Sequence, residues 1–254
     1  MSRPLIAIGR RLPHGWRDLL LQLALFFGAY QGYQVVRGLS EGRELLALAN
    51  AERIIEIERA LGLYFEPGLQ SLALDLGWAV DAANWMYVNS HFVITTGFLA
   101  WLYLRHNDQF YFVRNVVMVA MGIALTGYLL VPTAPPRLVP GDGLINTIAP
   151  FTSVDQDNKA VGLLVNKYAA VPSMHIGFSL MVAVSAMLLV EARWARALWA
   201  LYPLLVFSAI VITGNHFWLD AAAGAAVAVV SALVAHRLLA PVRPGAWAFR
   251  DAPA

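Results

Sequence analysis

The chain has 254 residues, of which 59% are hydrophobic and only 13% charged, with a formal net charge of +2. Soluble domains are about 45–50% apolar and about 25% charged, so this composition excludes a disordered chain and argues against a soluble enzyme. The small net charge argues against a nucleic-acid partner, and the absence of cysteine excludes disulfides, thiolate metal sites and a cysteine nucleophile. We predict an integral membrane protein that forms one domain over residues 1–254.

Six segments, taken in chain order, are apolar enough for transmembrane helices, which need about 20 mostly apolar residues. They lie near residues 19–36, 85–104, 112–131, 174–190, 195–212 and 217–239. The first is the weakest, because three glutamines interrupt it. The predicted fold class is therefore all-α: a polytopic membrane protein with a bundle of six transmembrane helices.

The basic residues indicate how such a bundle is oriented. Six spans place both termini on the same side of the membrane, and that side receives eleven of the 18 basic residues. The opposite side carries several glutamates among its basic residues. Because arginine and lysine concentrate in cytoplasmic loops, we predict a multi-pass protein of the cell membrane with both termini in the cytoplasm.

Residues 44–61, between the first two spans, have helical periodicity without the apolarity of a span. Glu52, Glu56 and Arg59 share one face of this helix. A second face carries larger apolar side chains, namely Leu46, Ile54, Ile57 and Leu61. The pattern predicts an extra helix on the outer surface of the membrane. A helix that packs over the end of the bundle is an equally good interpretation.

The connection between the third and fourth spans, residues 132–172, contains six prolines. Long loops of this kind inside compact domains are often functional. We predict an ordered loop on the outer side of the membrane.

Ionisable residues occur where the fourth and sixth spans begin. His175 lies in the first turn of the fourth span, and Ser173 is placed to cap that helix. His216 and Asp220 are four residues apart at the start of the sixth span and share one face. Two crossings separate the histidines, so both lie at the same depth on the outer side, where we expect them to be partly exposed. Ionisable groups in such positions mark functional sites.

Arg137 and Lys167, in the loop on the same side, complete a set of groups suited to phosphoryl transfer. A helix N-terminus and an arginine fork both bind phosphate oxygens. We predict that Arg137, Lys167 and Ser173 bind the phosphate. One histidine attacks phosphorus, the other protonates the departing oxygen, and Asp220 orients the nucleophilic imidazole.

Each residue also has a structural interpretation when it is taken alone. An interfacial histidine can bind a backbone carbonyl, Asp220 can pair with an arginine, and Arg137 can contact lipid headgroups. The competing chemistry is a zinc site formed by His175, His216 and Asp220. We do not favour it, because no pair of histidines lies on one helix and the nearby cations would repel a metal ion. The prediction therefore includes no metal and no cofactor.

Together these residues resemble the motifs of the type 2 phosphatidic acid phosphatase superfamily. Pro172–His175 looks like its second motif, and His216 with Asp220 looks like the His-x-x-x-Asp of its third. A closer resemblance is to the branch of fungal inositol phosphorylceramide synthase, which has Pro-x-Ala-Pro-Pro, Pro-Ser-x-His and Thr-Gly-x-His-x-x-x-Asp followed by glycine. The matching residues here are Pro132–Pro136, Pro172–His175, Thr213–Asp220 and Gly224.

The resemblance implies that His216 is the nucleophile, His175 the general acid and Asp220 the orienting carboxylate. Two departures from the phosphatases favour the transferase-like branch. Ala209 and Ile210 stand where the phosphatases usually have Ser-Arg, and Met174 stands where their second motif usually has glycine. The phosphate-binding arginine must then come from elsewhere, and Arg137 is our candidate.

Asp81, Asn84 and His91 form a polar stripe along the second span. The stripe could line a pocket for the headgroup of a hydroxylated acceptor. Hydrogen bonds between packed helices are the alternative.

The predicted function is therefore phosphoryl or headgroup-phosphate transfer between a membrane lipid and a polyol such as inositol, through a phosphohistidine. Two alternatives stay open: a lipid phosphate phosphatase that acts on a phosphatidic-acid-like or polyprenyl lipid, and a non-catalytic lipid-binding or transport protein. The predicted partners are a lipid substrate and the polyol.

Overall fold

A computed structural model of the chain describes residues 12–40, 42–152 and 167–242. These residues form helices joined by turns, and none of them lies in a β-strand. One isolated parallel β-bridge pairs Thr133 with Ala169. The predicted all-α class is therefore confirmed for the described part of the chain.

The helices follow one another along the chain with short connections, apart from the loop after residue 130. Their bounds are α1 Gly15–Ser40, α2 Glu44–Ala60, α3 Glu66–Asp75, α4 Gly77–Asn89, α5 Thr95–Arg105, α6 Asn107–Leu130, α7 Ile148–Thr152, α8 Met174–Leu189, α9 Arg193–Ile212 and α10 Trp218–Leu233. A π-helical segment, Ser90–Ile94, joins α4 to α5, and a second one, Val234–Leu239, extends α10.

Four helices are long and apolar enough to cross a membrane. They are Gly15–Leu39, Asn107–Leu130, Arg193–Ile212 and Trp218–Leu239, which match the first, third, fifth and sixth predicted spans. The helices at the other two predicted spans, Phe92–Arg105 and Met174–Leu189, are apolar but shorter. A helix of 16 residues, such as α8, extends about 24 Å, less than the roughly 30 Å of a hydrocarbon core. The six-span count therefore stays a prediction.

The short helix α8 lies at the centre of the molecule, which explains its almost uniformly apolar sequence. Its buried side chains run from Met174 to Ala186. They pack into clusters with residues of the neighbouring helices, including Leu102 of α5, Phe110 of α6 and Val206 of α9. A helix buried over most of its surface needs few polar side chains, and its two exposed residues, Val184 and Leu188, are apolar as well.

Two glycines let α8 and α10 approach each other closely. A Cβ atom on Gly224 would lie 2.0 Å from the carbonyl oxygen of Ser173, and one on Gly177 would lie 3.3 Å from the carbonyl oxygen of Gly224. Small residues at helix interfaces in membranes permit such contacts between backbones. The Ser173 amide also donates a 2.9 Å hydrogen bond to the carbonyl of Asp220. The first turns of the two helices are therefore fixed side by side.

Helix α2 forms where it was predicted, but it packs through a different face. Glu52, Glu56 and Arg59 are exposed, as expected. The buried residues are Ala47, Ala51, Ile55 and Glu58, whereas Leu46, Ile57 and Leu61 of the expected apolar face are 42–58% exposed. The alanines bring the helix against the loop residues Ala134 and Val139 and against Phe217. The helix thus packs over the bundle and still presents larger apolar side chains outward.

The loop after α6 is held by hydrogen bonds on both sides of the part that lies outside the described residues. The Thr133 amide donates to the Tyr168 carbonyl at 2.9 Å, and the Ala170 amide donates to the Thr133 carbonyl at 3.2 Å. The Asn50 side chain of α2 donates to the Pro132 carbonyl at 2.9 Å. The two ends of the loop therefore run side by side beneath α2.

The π-helical segment Ser90–Ile94 interrupts the regular bonding between α4 and α5. The carbonyl of Ser90 accepts a hydrogen bond from Tyr202 Oη of α9 at 3.2 Å and a longer one from Thr95 Oγ1 at 3.4 Å. A π turn contains one more residue than an α turn and so changes the direction of the side chains that follow. In this helix Tyr87 lies before the change, and the core residues Phe98 and Leu102 lie after it.

Candidate active site

His216 and Asp220 form the centre of the candidate site, where the chain enters α10. His216 Nδ1 lies 3.3 Å from Asp220 Oδ2. The same oxygen accepts a hydrogen bond of 2.9 Å from the amide of Phe217, the N-cap residue of α10, so His216 lies just before the helix and not on it. The predicted contact between the two side chains is confirmed. His216 is only 5% exposed and Asp220 is fully buried, so the expectation of a partly exposed His216 is wrong.

His175 lies beside this pair, in the first turn of α8. The centroids of the His175 and His216 rings are 5.5 Å apart, with an angle of 62° between the ring planes. On its other side His175 stacks on Tyr87 of α4, with centroids 4.5 Å apart and ring planes inclined by 20°. Tyr87 was not identified from the sequence, because nothing in the sequence relates it to a residue nearly ninety positions away. The two imidazoles thus lie together, as the topology predicted.

Arg137 reaches the same site from the loop. Its amide donates to the carbonyl of Gly214 at 3.0 Å, and its guanidinium Nη1 donates to Asn215 Oδ1. Asn215 is itself oriented, because its amide nitrogen donates to Thr213 Oγ1 at 2.8 Å. The guanidinium is therefore hydrogen-bonded to the residue that directly precedes His216. Sequence reasoning missed Asn215, although its position next to the histidine was a usable signal.

Lys167 lies at the end of the loop that pairs with the Pro132–Pro136 region. It directly precedes Tyr168, whose carbonyl accepts the Thr133 amide. The pairing of the two loop segments places Lys167 next to the segment that leads to Arg137, and its side chain is half-buried. The two cations predicted to bind phosphate therefore lie on adjoining segments.

Ser173 occupies the position before α8, as predicted, but its hydroxyl makes no capping hydrogen bond. The residue is fully buried, and within the described chain its Oγ has no hydrogen-bond partner. Its backbone is fixed instead: the Ser173 amide donates to the Asp220 carbonyl, and the Ser173 carbonyl faces Gly224. The expected capping bond is therefore wrong, while the predicted role of Ser173 in phosphate binding stays a prediction.

The residues of the predicted polar stripe along the second span have different environments in the structure. Asp81 is exposed, whereas Asn84 is buried. Asn84 Nδ2 donates to the Thr147 carbonyl at 3.0 Å, and Asn84 Oδ1 accepts from Thr147 Oγ1 at 2.7 Å. The Asn84 amide therefore holds the loop before α7, which fits the alternative of hydrogen bonding within the protein. The side chain of His91 lies outside the described residues.

Two buried glutamates complete the start of α10. Glu58 of α2 accepts the Leu219 amide at 3.1 Å, and Glu66 of α3 accepts the Trp218 amide at 3.0 Å. Both side chains are fully buried. From the sequence alone, both were counted among the glutamates on the outer side of the membrane. The spacing of Glu58 from Ala51 and Ile55 was the signal that places it on the buried face.

Gln70 of α3 connects the end of α9 with the loop. Its amide nitrogen donates to the carbonyls of Ile145 and Ile212, at 3.1 and 2.8 Å, and its oxygen accepts the Ile145 amide at 2.8 Å. Gly214 lies directly against this contact with φ +64°, and a Cβ atom there would lie 3.2 Å from Arg137 Cβ and 3.3 Å from Gln70 Nε2. A side chain at this position would be strained by both conformation and space.

The assembled groups are an imidazole with a carboxylate partner, a second imidazole and a guanidinium, all next to two helix N-termini. This set can bind an anionic ester, attack it and protonate a leaving group. Within residues 12–40, 42–152 and 167–242, no group of three or more histidine and carboxylate side chains is arranged to hold a metal ion.

Comparison with known families gives one match that covers most of the chain. A family model described as "PAP2 superfamily" matches residues 52–234, a range that begins within α2 and includes the motifs around His175 and His216. No curated protein and no solved structure matches the chain. The family model describes the superfamily as a whole, so the branch that resembles fungal inositol phosphorylceramide synthase stays a prediction.

Proposed function

Because this chain belongs to the PAP2 superfamily, we propose that it is a membrane enzyme that transfers a phosphoryl group or headgroup phosphate between a lipid and a polyol such as inositol. Membership of the superfamily supports lipid phosphatase or phosphotransferase activity in general. The observation that carries the proposal is the geometry of the histidines. His216 lies 3.3 Å from the buried carboxylate of Asp220, and the ring of His175 lies 5.5 Å from that of His216.

In the proposed mechanism His216 is the nucleophile. Its Nδ1–H donates to Asp220, which leaves the lone pair on Nε2 free to attack phosphorus. As the phosphorus–nitrogen bond forms, the bond to the leaving oxygen breaks, and His175 gives its proton to that oxygen. An acceptor hydroxyl then attacks the phosphohistidine while His175 takes the hydroxyl proton, and His216 is released. The scheme requires no metal ion.

Arg137 and Lys167 bind the non-bridging phosphate oxygens in this scheme. The hydrogen bond from Arg137 to Asn215 supports this assignment, because it fixes the guanidinium beside the nucleophile. Ala209 and Ile210, at the positions of the usual Ser-Arg of the phosphatases, are buried and uncharged. The loop therefore supplies the cation that α9 lacks at this point. This departure favours the transferase branch that resembles fungal inositol phosphorylceramide synthase.

We place the site at the outer interface of a six-span bundle in the cell membrane, with both termini in the cytoplasm. The distribution of basic residues supports this orientation. The close packing of the short helix α8 between α9 and α10 supports its crossing of the membrane with them. Its short length is compatible with a location inside the bundle, where flanking side chains rather than lipid surround its ends.

Burial of the nucleophile favours transfer over hydrolysis. His216 is 5% exposed, and a transferase must keep water away from the phosphohistidine until the polyol arrives. Asp81, Asn84 and His91 are our candidates for the acceptor side of the site, with Asn84 acting through the loop that it holds. Hydrolysis of a lipid phosphate is the second candidate function, and it rests on the superfamily alone.

The test is a transfer assay with purified protein in mixed lipid vesicles, supplied with phospholipid donors with and without inositol. Transfer predicts an exchanged lipid that appears only with the polyol, and loss of that product in the Asp81→Ala variant. Asp75→Ala, another exposed aspartate on the same side, is the matched control. Release of free phosphate that is independent of the polyol and unchanged by Asp81→Ala or Asn84→Ala would replace the transferase with a phosphatase.

A further inference from the structure

The carboxyl groups of Glu58 and Glu66 meet beneath the first turn of α10, although they come from two different helices. Each uses its Oε1 atom to accept one backbone amide of that turn, Leu219 and Trp218 respectively. The remaining oxygen of each group, Oε2, is buried and has no hydrogen-bond partner within the described chain. Both side chains are fully buried, so bulk solvent does not reach these oxygens. Two adjacent acceptors without a donor require an explanation.

We propose that Glu58 and Glu66 share a single proton between their free oxygens, and that this acid pair positions His216 and Asp220 for catalysis. The pair acts through the backbone of α10 and does not touch the substrate. The inference rests on the proposed function, in which His216 and Asp220 carry out the chemistry.

The shared proton accounts for two observations: both carboxyl groups are buried, and neither Oε2 atom has a hydrogen-bond donor within the described chain. Two carboxylates held next to each other out of reach of bulk solvent are strongly disfavoured as a doubly ionised pair, because their charges repel and burial removes solvation. Burial and the charge of Glu66 together raise the pKa of Glu58 to about 8, against the opposing effect of the hydrogen bond from the Leu219 amide. Burial also raises the pKa of Glu66. One proton between the two Oε2 atoms satisfies both, and both Oε1 atoms stay free for the backbone.

The positioning role follows from the order of the bonds along α10. The first amides of a helix have no partner within the helix. Here three successive amides, those of Phe217, Trp218 and Leu219, are bound by three different carboxyl groups: Asp220, Glu66 and Glu58. The first turn is therefore tied to α2 and α3 immediately after His216. A shift of this turn changes the 3.3 Å contact between His216 and Asp220.

The ionisable groups around the pair set the direction of its pH dependence. Asp220, bonded to His216, faces the pair from α10, and its negative charge favours the protonated form of the pair. Tyr64, Arg59 and Asp142 lie beyond Glu66, and Arg59 is occupied by its 2.8 Å ion pair with Asp142. When the shared proton is lost, two like charges repel under the first turn. We therefore expect turnover to fall above about pH 8, by about tenfold at pH 9 for a single titrating proton.

Glu58→Gln tests this proposal, because a glutamine amide can accept from Leu219 and donate to Glu66 without a titrating proton. We expect a modest loss of turnover at pH 7, about threefold, and an alkaline decline that is weaker than in the wild type. Glu58→Ala removes the bond to Leu219 and should lower turnover by tenfold or more. Glu56→Gln, an exposed glutamate on the same helix, is the matched control and should keep the wild-type pH profile.

Infrared spectroscopy of the full-length protein in vesicles gives a readout that does not depend on activity. The carbonyl band of a protonated carboxylic acid should be present at pH 6, should disappear as the pH rises through about 8, and should be missing in Glu58→Gln. The proposal is overturned if the wild type lacks this band, or if Glu58→Gln keeps the wild-type pH profile. His216→Ala is assayed in parallel: retained turnover there would refute the proposed function and leave the infrared result for the acid pair intact.

Discussion

At the scale of single residues, His216 is constrained on both sides, by Asp220 four residues later and by the ring of His175. The carboxylate fixes which imidazole nitrogen carries the proton, so the other nitrogen can face phosphorus. Because His216 is buried, a change at this position also removes packing. Tests of its chemistry therefore need a measure of folding alongside turnover.

We expect His216→Ala to lower turnover by about 10³-fold or more, since no nucleophile remains to form the phosphohistidine. His216→Gln, which fills most of the same space, should be equally inactive and should unfold at a higher temperature than His216→Ala. The measurements are steady-state turnover and thermal unfolding in detergent. Turnover near the wild-type level in either variant would refute His216 as the nucleophile.

His175→Ala should have a different signature, because a general acid matters only when the leaving group is poor. We expect about 10²- to 10³-fold slower turnover with an alcohol leaving group. With a p-nitrophenyl phosphodiester, whose leaving group needs no proton, the loss should be less than about tenfold. Equal losses with both substrates would remove the role of general acid from His175.

Asn215 acts through Arg137, and its removal should affect substrate binding more than chemistry. A hydrogen bond to a charged group contributes about 1.5–3 kcal/mol. We therefore expect Asn215→Ala to raise the KM for the lipid about tenfold with a smaller change in kcat. Asn89→Ala, whose amide binds the Trp85 carbonyl of its own helix at 2.8 Å, is the control. A fall in kcat at unchanged KM would argue against an anchoring role.

At the scale of helices and loops, the site depends on the contact between α8 and α10. Gly224 allows the carbonyl of Ser173 to lie where a side chain would otherwise be. The same contact aligns the first turns that carry His175 and Asp220. This backbone contact therefore contributes both to the packing of the bundle and to the geometry of the candidate site.

Gly224→Ala should separate the two helices, because a Cβ atom only 2.0 Å from a carbonyl oxygen cannot be accommodated. Overpacking costs about 1–3 kcal/mol in cores, and we expect the upper end of this range together with a strong loss of turnover. Gly122→Ala is the matched control, since a Cβ atom on this helical glycine meets no atom within 4 Å. Thermal unfolding of the two variants provides the comparison, and equal stability would refute the close contact.

What the sequence could predict depends on how local the determining interactions are. The spacing of His216 and Asp220 predicted their contact, although His216 lies just before α10 and not on it, and the two predicted membrane crossings between the histidines predicted the proximity of His175. The packed face of α2 could not be chosen from hydrophobicity, because small alanines and Glu58 are buried while leucines and isoleucines face outward. Asn84 binds the loop before α7 and Glu66 binds the first turn of α10, and residue spacing does not encode such tertiary contacts.

At the scale of the whole molecule, orientation in the membrane decides which compartment the site faces. The absence of cysteine makes every introduced cysteine a unique label. Gly141→Cys, in the loop after α6, should react with a membrane-impermeant thiol reagent in intact cells. Asn107→Cys, at the opposite end of α6, should react only after permeabilisation. The reverse pattern would place the site on the cytoplasmic side.

The π-helical segment between α4 and α5 divides the long helix of residues 77–105 into two halves. The extra residue of the π turn sets the direction in which the side chains of one half point relative to the other. Tyr87 in the first half stacks on His175, while Phe98 and Leu102 in the second half pack into the core. If the same residues formed a continuous α-helix instead, one half would turn by about 100° against the other, and the helix could not serve both surfaces. The π turn absorbs the extra residue, so one helix presents Tyr87 to His175 and Phe98 to the hydrophobic core.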